Sequence, residues 1–235
     1  MLSFRIKIFA DGADLRTAIG LYKNPLIKGF TTNPTLMRKA GVEDYQAFAR
    51  DMLDAIPDRP ISFEVLADDP AEMERQAFRI GEWGANVYVK IPITNTRRES
   101  MAPLMRKLSS HGVQVNATAL LTLDQVRIAA DALSGGAASN ISIFAGRIAD
   151  TGRDPIPIME KALEILRPDP RMELIWASPR EPLNVWQADA MGCHIITATS
   201  DILKKLSLAG KDLTDYSQET VQMFFDDGRT AGFTL

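Results

Sequence analysis

Eight short apolar runs recur along this 235-residue chain: RIKIFADG (5–12), IKGFTTNP (27–34), ISFEVLAD (61–68), NVYVKIPIT (86–94), VQVNATAL (113–120), NISIFAGR (140–147), ELIWASPR (173–180) and CHIITAT (193–199). Apolar residues fall on alternate positions in several of them, as in Val87, Val89 and Ile91, which is the spacing of a buried strand. Between the runs lie segments with helical spacing, among them 45–56, 70–83, 123–133 and 155–166. Asp69 before Pro70 and Thr122 before Leu123 read as N-caps. Gly84, Gly112 and Gly192 fall just past helices, where a left-handed cap is wanted. SGGAAS (134–139) reads as a helix-to-strand turn. Eight strands each followed by a helix predict an α/β protein, a (β/α)8 TIM barrel, for which about 250 residues is typical. An open doubly wound sheet is the competing fold. It would carry a glycine-rich phosphate turn after its first strand, where this chain reads ADGADL. The barrel is expected as a single domain over 1–235, with 215–235 a C-terminal helix and tail ending near Gly228. Apolar Val221, Met223, Phe224 and Phe225 on that helix need a cover, on the barrel or on another subunit.

The polar residues share one end and one face. In a barrel, the C-terminal ends of the strands build the active site. Read to their ends, the runs supply Asp11, then Thr31, Thr32 and Asn33, then Glu64, Lys90, Asn116 with Thr118, Ser142, and Ser178 with Arg180. Alternate side chains of a strand face opposite ways. Ile6, Ile8 and Ala10 therefore oppose Asp11, Val115 and Ala117 oppose Asn116 and Thr118, and Ile141 and Ile143 oppose Ser142. Lys90 opposes Val87, Val89 and Ile91, so it points into the barrel while they pack outward. Each residue also has a plainer reading. Asp11 suits a turn or cap, TTNP an Asx turn before proline, Glu64 a structural ion pair with Lys90, Arg147 and Arg180 the surface, and His111 a helix cap.

Composition narrows the function classes. Hydrophobic residues make up 46% and charged residues 24%, the mixture of a globular protein, and the formal net charge of −3 gives no basic field for nucleic acid. No apolar stretch approaches the roughly 20 residues that span a bilayer, and the N-terminus lacks the apolar region of a signal peptide. The one cysteine, Cys193, fits a reducing compartment, so a cytoplasmic protein is expected. Adjacent Cys193 and His194 suit no metal site. No metal and no cofactor is expected.

An amine in an apolar strand has its charged form disfavoured by desolvation, which makes the free amine available. A neutral amine attacks a carbonyl, and the resulting iminium is an electron sink for breaking a neighbouring carbon–carbon bond. Glu64 and Asp11 can move the protons this requires. Thr118 can position a water for Glu64, and Asn33 and Asn116 can hold substrate hydroxyls. Arg147, Ser178 and Arg180 offer the donors a phosphate wants.

FADGAD, GFTTNPT, SFEV, VKIP, VNATAL, ISIFAGRI and WASPRE, in that order and across most of the chain, resemble the transaldolases, in particular the short subfamily that includes the fructose-6-phosphate aldolases. The resemblance implies a (β/α)8 barrel with Lys90 as the Schiff-base residue and Asp11 as acid/base at the cleavage step. It also implies that Glu64 acts with Thr118 through a water. Asn33, Asn116 and Ser142 would bind the donor chain, Arg147, Ser178 and Arg180 the phosphate, and Thr32 and Phe144 would complete the substrate-binding set. In the fructose-6-phosphate aldolases, a glutamine stands at the position of Glu64 and a tyrosine at that of Phe144, so this chain has the transaldolase pairing. Without a phenol near the catalytic water, the bound enamine is protonated less readily and waits for an acceptor. Gly12, Ile143, Pro179, Glu181 and the pair Ala198-Thr199 depart from the family pattern. The changes around Arg180 leave a sulfonate beside a phosphate as the anionic group. The expected activity is transfer of a dihydroxyacetone unit between anionic sugars in carbohydrate metabolism. The alternatives are an aldolase releasing dihydroxyacetone and a non-catalytic sugar-phosphate-binding barrel. Expected partners are small sugar phosphates or similarly anionic sugars, with no nucleic acid and no membrane, in a homo-oligomer.

Overall fold

The period-two runs become eight parallel strands that pair in chain order and close into a barrel, the last beside the first. The computed structural model describes residues 3–234. In chain order, β1 (Lys7–Asp11), α1 (Leu15–Tyr22), β2 (Ile27–Thr31), α2 (Pro34–Lys39), α3 (Tyr45–Ala55) and β3 (Ile61–Glu64) come first. Next are α4 (Pro70–Gly81), β4 (Val87–Pro92), α5 (Ala102–Ser110), β5 (Val115–Leu120), α6 (Leu123–Leu133) and β6 (Ser139–Ile143). Then follow α7 (Ala145–Ala149), α8 (Ile156–Leu166), β7 (Met172–Trp176), α9 (Leu183–Ala190), β8 (Ile195–Thr199), α10 (Ser200–Lys205) and α11 (Leu213–Ala231). The predicted barrel is the observed one, and the C-terminal helix is present. β6 and β7 each begin one residue before their apolar runs, because Ser139 and Met172 already pair across the ladder.

The main core lies between sheet and helices. Ile8, Phe63, Val89, Ile91, Ala117, Ile141, Leu174 and Ile196 are all buried. A methyl group placed on Gly81 of α4 would lie 3.2 Å from Val113 and 3.8 Å from Val89, so the odd-numbered face of β4 meets the helices. The opposite face fills the barrel. Phe9, Ile175, Ala177 and Ile195 cluster there with Phe144 packed against them. Phe9 reaches across to Gly29, where any Cβ would sit 2.5 Å from its ring. Glycine at 29 is thus the space that lets one aromatic residue close the barrel floor.

Helix starts follow the predicted chemistry. The Asp69 carboxylate accepts the N–H groups of Ala71 and Glu72, and Thr122 forms a reciprocal capping box with Gln125. Gly112 and Gly192 adopt the left-handed conformation, with φ of 83° and 79°. Gly84 does not: α4 already ends at Gly81 and Glu82 caps it in right-handed geometry. A Cβ at Gly84 would come within 3.0 Å of Asn86, so close packing is what that glycine serves.

Two compact units divide after Leu203. In the second, α11 continues a little past Gly228 to Ala231, with Gly232 as its left-handed cap at φ 67°. The N–H of Phe233 returns to the Gly228 carbonyl, closing a left-handed helix end. Val221, Met223, Phe224 and Phe225 on this helix are exposed.

Candidate active site

The C-terminal ends of the strands surround a cavity of about 550 Å³. Its centre is Lys90 of β4. Register places Lys90 beside Glu64 on one side and Asn116 on the other, so all three project into the same cavity. Lys90 Nζ lies 2.9 Å from Glu64 Oε2, the two side chains being 8% and 19% exposed. It also donates to the Thr32 carbonyl at 2.7 Å. The lysine is therefore not alone in an apolar strand. A carboxylate and a backbone dipole offset its desolvation, as a buried cation requires.

Asp11 sits at the end of β1, partnered in register by Thr31 and Thr199. Thr31 Oγ1 donates to Asp11 Oδ1 at 2.7 Å and shares a 2.6 Å hydrogen bond with Thr197 Oγ1. Burial pushes the Asp11 carboxyl above the usual carboxylate range, against the opposing pull of the Lys90 charge and the Thr31 hydrogen bond. A carboxyl held in this way is suited to exchanging protons.

A second set of hydrogen bonds fixes the far wall. Asn116 Nδ2 donates to Ser62 Oγ at 3.1 Å, and Ser142 Oγ donates to Asn116 Oδ1 at 2.7 Å. This locks the amide's orientation. Thr118, 1% exposed, lines the cavity with its Oγ1 lacking any protein partner. A buried hydroxyl left so costs about 1–3 kcal/mol, which marks it for a water or a substrate hydroxyl. Asn33 has a divided role. Its Oδ1 accepts the Leu36 N–H at 3.0 Å as the N-cap of α2, the turn its sequence suggested, while the residue still faces the cavity.

The cationic end is assembled by two segments in tight contact. β6 runs through Phe144 into α7, which carries Arg147, whose guanidinium lies 5.6 Å from the Phe144 ring centroid. Opposite, Ser178 follows β7 with φ 60°, a conformation that non-glycine residues rarely adopt. Arg180 follows it, forked onto Asp150 through Nε at 2.8 Å and through Nη2. The Asp150 carboxyl is held below its usual range by that bond. Both arginines are exposed, yet both line the cavity.

Of the twelve site residues expected from sequence, eleven line this cavity. Thr32 is the exception. It is 1% exposed and reaches the site through its main-chain carbonyl, a contribution that side-chain type does not advertise. Thr197 and Asp150 were absent from the expected set. The alternation of Thr197 and Thr199 with Ile196 and Ala198 carried a signal for the first. Nothing local signalled the Asp150–Arg180 pair. Among the described residues, no group of three or more His, Cys, Asp or Glu side chains could hold a metal ion.

Fold and site together define a (β/α)8 barrel with a lysine–carboxylate centre where barrel enzymes carry their chemistry. The chain belongs to the transaldolase/fructose-6-phosphate aldolase family, whose model matches residues 8–234. A Dehalococcoides mccartyi protein named "Probable transaldolase" is 34% identical over 202 residues, covering 86% of this chain and 90% of that one. Another of that name from Thermoanaerobacter sp. strain X514 is 32% identical over 231 residues, 98% of this chain and 100% of its own. Among solved structures, a truncated form of 3-deoxy-D-arabino-heptulosonate 7-phosphate synthase from Thermotoga maritima superposes with a TM-score of 0.55 at 14% identity, over 97% of this chain and 88% of that one. The 3-keto-L-gulonate-6-phosphate decarboxylase from Vibrio cholerae does so with 0.54 at 14% identity, over 84% and 89%. These two likenesses concern the fold alone. The sequence relatives place the chain among enzymes of the transaldolase/aldolase family.

Proposed function

We propose that this chain is a Schiff-base transaldolase, moving a dihydroxyacetone unit from an anionic ketose to an aldose acceptor. The observation that carries the reading is Lys90 Nζ held between Glu64 and the Thr32 carbonyl, in a cavity that also holds Asp11. Passing one proton across the 2.9 Å gap turns the ammonium–carboxylate pair into an amine and a carboxylic acid, leaving no lone charge behind. The amine adds to the C2 carbonyl of the ketose. Glu64, with a water held at Thr118 Oγ1, protonates the departing hydroxyl, and loss of water gives the iminium. Asp11 then takes the C4 hydroxyl proton while the C3–C4 bond breaks. The aldose leaves as an aldehyde and the electron pair settles in the enamine. A second aldehyde accepts that pair, and hydrolysis frees Lys90. Arg147, Ser178 and Arg180 hold the anionic end, while Asn33, Asn116 and Ser142 hold the hydroxyls.

Glu64 and Phe144 favour transfer over simple cleavage, since no phenol stands at 144 to help protonate the enamine. Turnover followed with and without an acceptor aldehyde tests this. Dihydroxyacetone formed equally fast in its absence would identify an aldolase. Association of copies through the exposed apolar face of α11 belongs to the same reading. Sedimentation of a Phe224→Ser, Phe225→Ser variant at a lower mass than the parent would support it.

A further inference from the structure

The strand that carries Glu64 loses its neighbour one step before it should. β2 and β3 pair at Phe30 with Ile61 and Thr31 with Ser62. Along that edge the Phe30 N–H reaches the Pro60 carbonyl at 2.8 Å and the Thr32 N–H the Ser62 carbonyl at 3.2 Å. A parallel ladder advances by two residues. Its next rungs would be the Glu64 N–H on the Thr32 carbonyl, and the N–H of residue 34 on the Glu64 carbonyl. Neither is made. Residue 34 is proline and has no N–H, and the chain turns there into α2. The Thr32 carbonyl accepts from Lys90 Nζ, and the Glu64 N–H turns to a side chain instead.

The side chain of Tyr45, the first residue of α3, fills both vacancies. Its hydroxyl accepts the Glu64 N–H at 2.8 Å and donates to the Glu64 carbonyl at 2.9 Å. The phenol ring is wedged edge-on against Phe63 and Trp83, with centroids 6.3 and 5.7 Å away. One hydroxyl thus stands in for a missing turn of strand. Paired backbone groups are close to obligatory away from water, so this contact fixes the edge of the Glu64 backbone that β4 does not hold.

We infer that Tyr45 is a positioning residue for the proposed reaction. It holds Glu64 within reach of Lys90, while the Thr32 carbonyl orients the amine. This rests on the Schiff-base reading above. Tyr45 does not line the cavity, so its removal should act on the chemical step and spare binding.

The test compares Tyr45→Phe with Trp83→Phe, which disturbs the same aromatic cluster but has no hydrogen bond to Glu64. Tyr45→Phe should lower kcat and the rate of borohydride-trappable adduct formation with dihydroxyacetone by about tenfold to a hundredfold, the scale of an ångström's misplacement. KM should change less than about twofold, and Trp83→Phe should leave the trapping rate intact. Equal losses in both variants, or an unchanged kcat in Tyr45→Phe, overturn the assignment. Amide exchange in the parent protein reads the same contact without any chemistry. The Glu64 N–H should exchange as slowly as that of Val65, which has a strand partner in the Lys90 carbonyl. Fast exchange at Glu64 overturns the inference even if the variant fails to fold. A parent protein that traps no adduct while Glu64 stays protected would refute the Schiff-base reading and leave the clamp standing.

Discussion

Gly146 is the point at which the two halves of the cationic site touch, and replacing it with alanine should separate them. The new methyl carbon would lie 1.6 Å from the Ser178 carbonyl oxygen, 2.8 Å from its carbonyl carbon and 3.2 Å from Arg180 Nε. Carbon and carbonyl oxygen settle at about 3.3–3.6 Å even in favourable contacts, so one segment must retreat by roughly 2 Å. The obstacle is backbone, not the end of a flexible side chain. Ser178 already occupies a left-handed conformation, so it has little slack. Overpacking of this kind costs about 1–3 kcal/mol. For a domain of this size that lowers Tm by roughly 2–12 °C, at about 2–4 °C per kcal/mol. The functional loss should be larger, because Arg147 and Arg180 ride on the two segments being driven apart. A shift of about 1 Å in a positioning group costs on the order of a hundredfold, and that loss should fall on kcat/KM for anionic ketoses. Trapping of uncharged dihydroxyacetone on Lys90 should survive. Thermal unfolding and steady-state kinetics on charged and neutral donors measure both effects. A Gly146→Ala protein with unchanged Tm and parental kcat/KM on the charged donor would refute the reasoning.

Asp11→Asn should stabilise the fold near neutral pH while removing activity. The folded carboxyl titrates above its ordinary 3.8 because of burial. The folded state therefore holds the extra proton over that interval, and stability falls as pH rises through it. Asparagine has no such proton to lose, so its urea midpoint should exceed the parent's at pH 7, with the gap closing as pH falls toward 3.8. A lower midpoint at pH 7 would contradict this. Asp150→Asn should release the Arg180 fork and lower KM for a dianionic phosphate several-fold, most clearly at low ionic strength, since the pair is exposed. An unchanged or raised KM would place the anion elsewhere.

The parts of this molecule legible in its sequence are those written in local periodicity. Strand after strand has outward aliphatics and an inward polar residue near the same end, and two-residue alternation is enough to assign Lys90, Asn116, Ser142 and Asp11 to one cavity. Caps such as Asp69 and Thr122 are equally local. What escaped depends on contacts between distant segments. Thr32 serves the site through its carbonyl, which every residue type has. Asp150 meets Arg180 across thirty residues, and Tyr45 meets Glu64 across nineteen. Gly84 escaped for a related reason. A glycine marks either a left-handed turn or a tight approach, or simply tolerates a helix, and the packed neighbours decide which.

The most direct measurement is borohydride reduction of the protein in the presence of a ketose phosphate or dihydroxyacetone, followed by mass spectrometry of the peptide that contains Lys90. A covalent three-carbon adduct on Lys90, formed in the parent and absent from an intact, folded Lys90→Met protein without turnover, is the predicted result. No adduct, an adduct on a different lysine, or turnover surviving in Lys90→Met would contradict it.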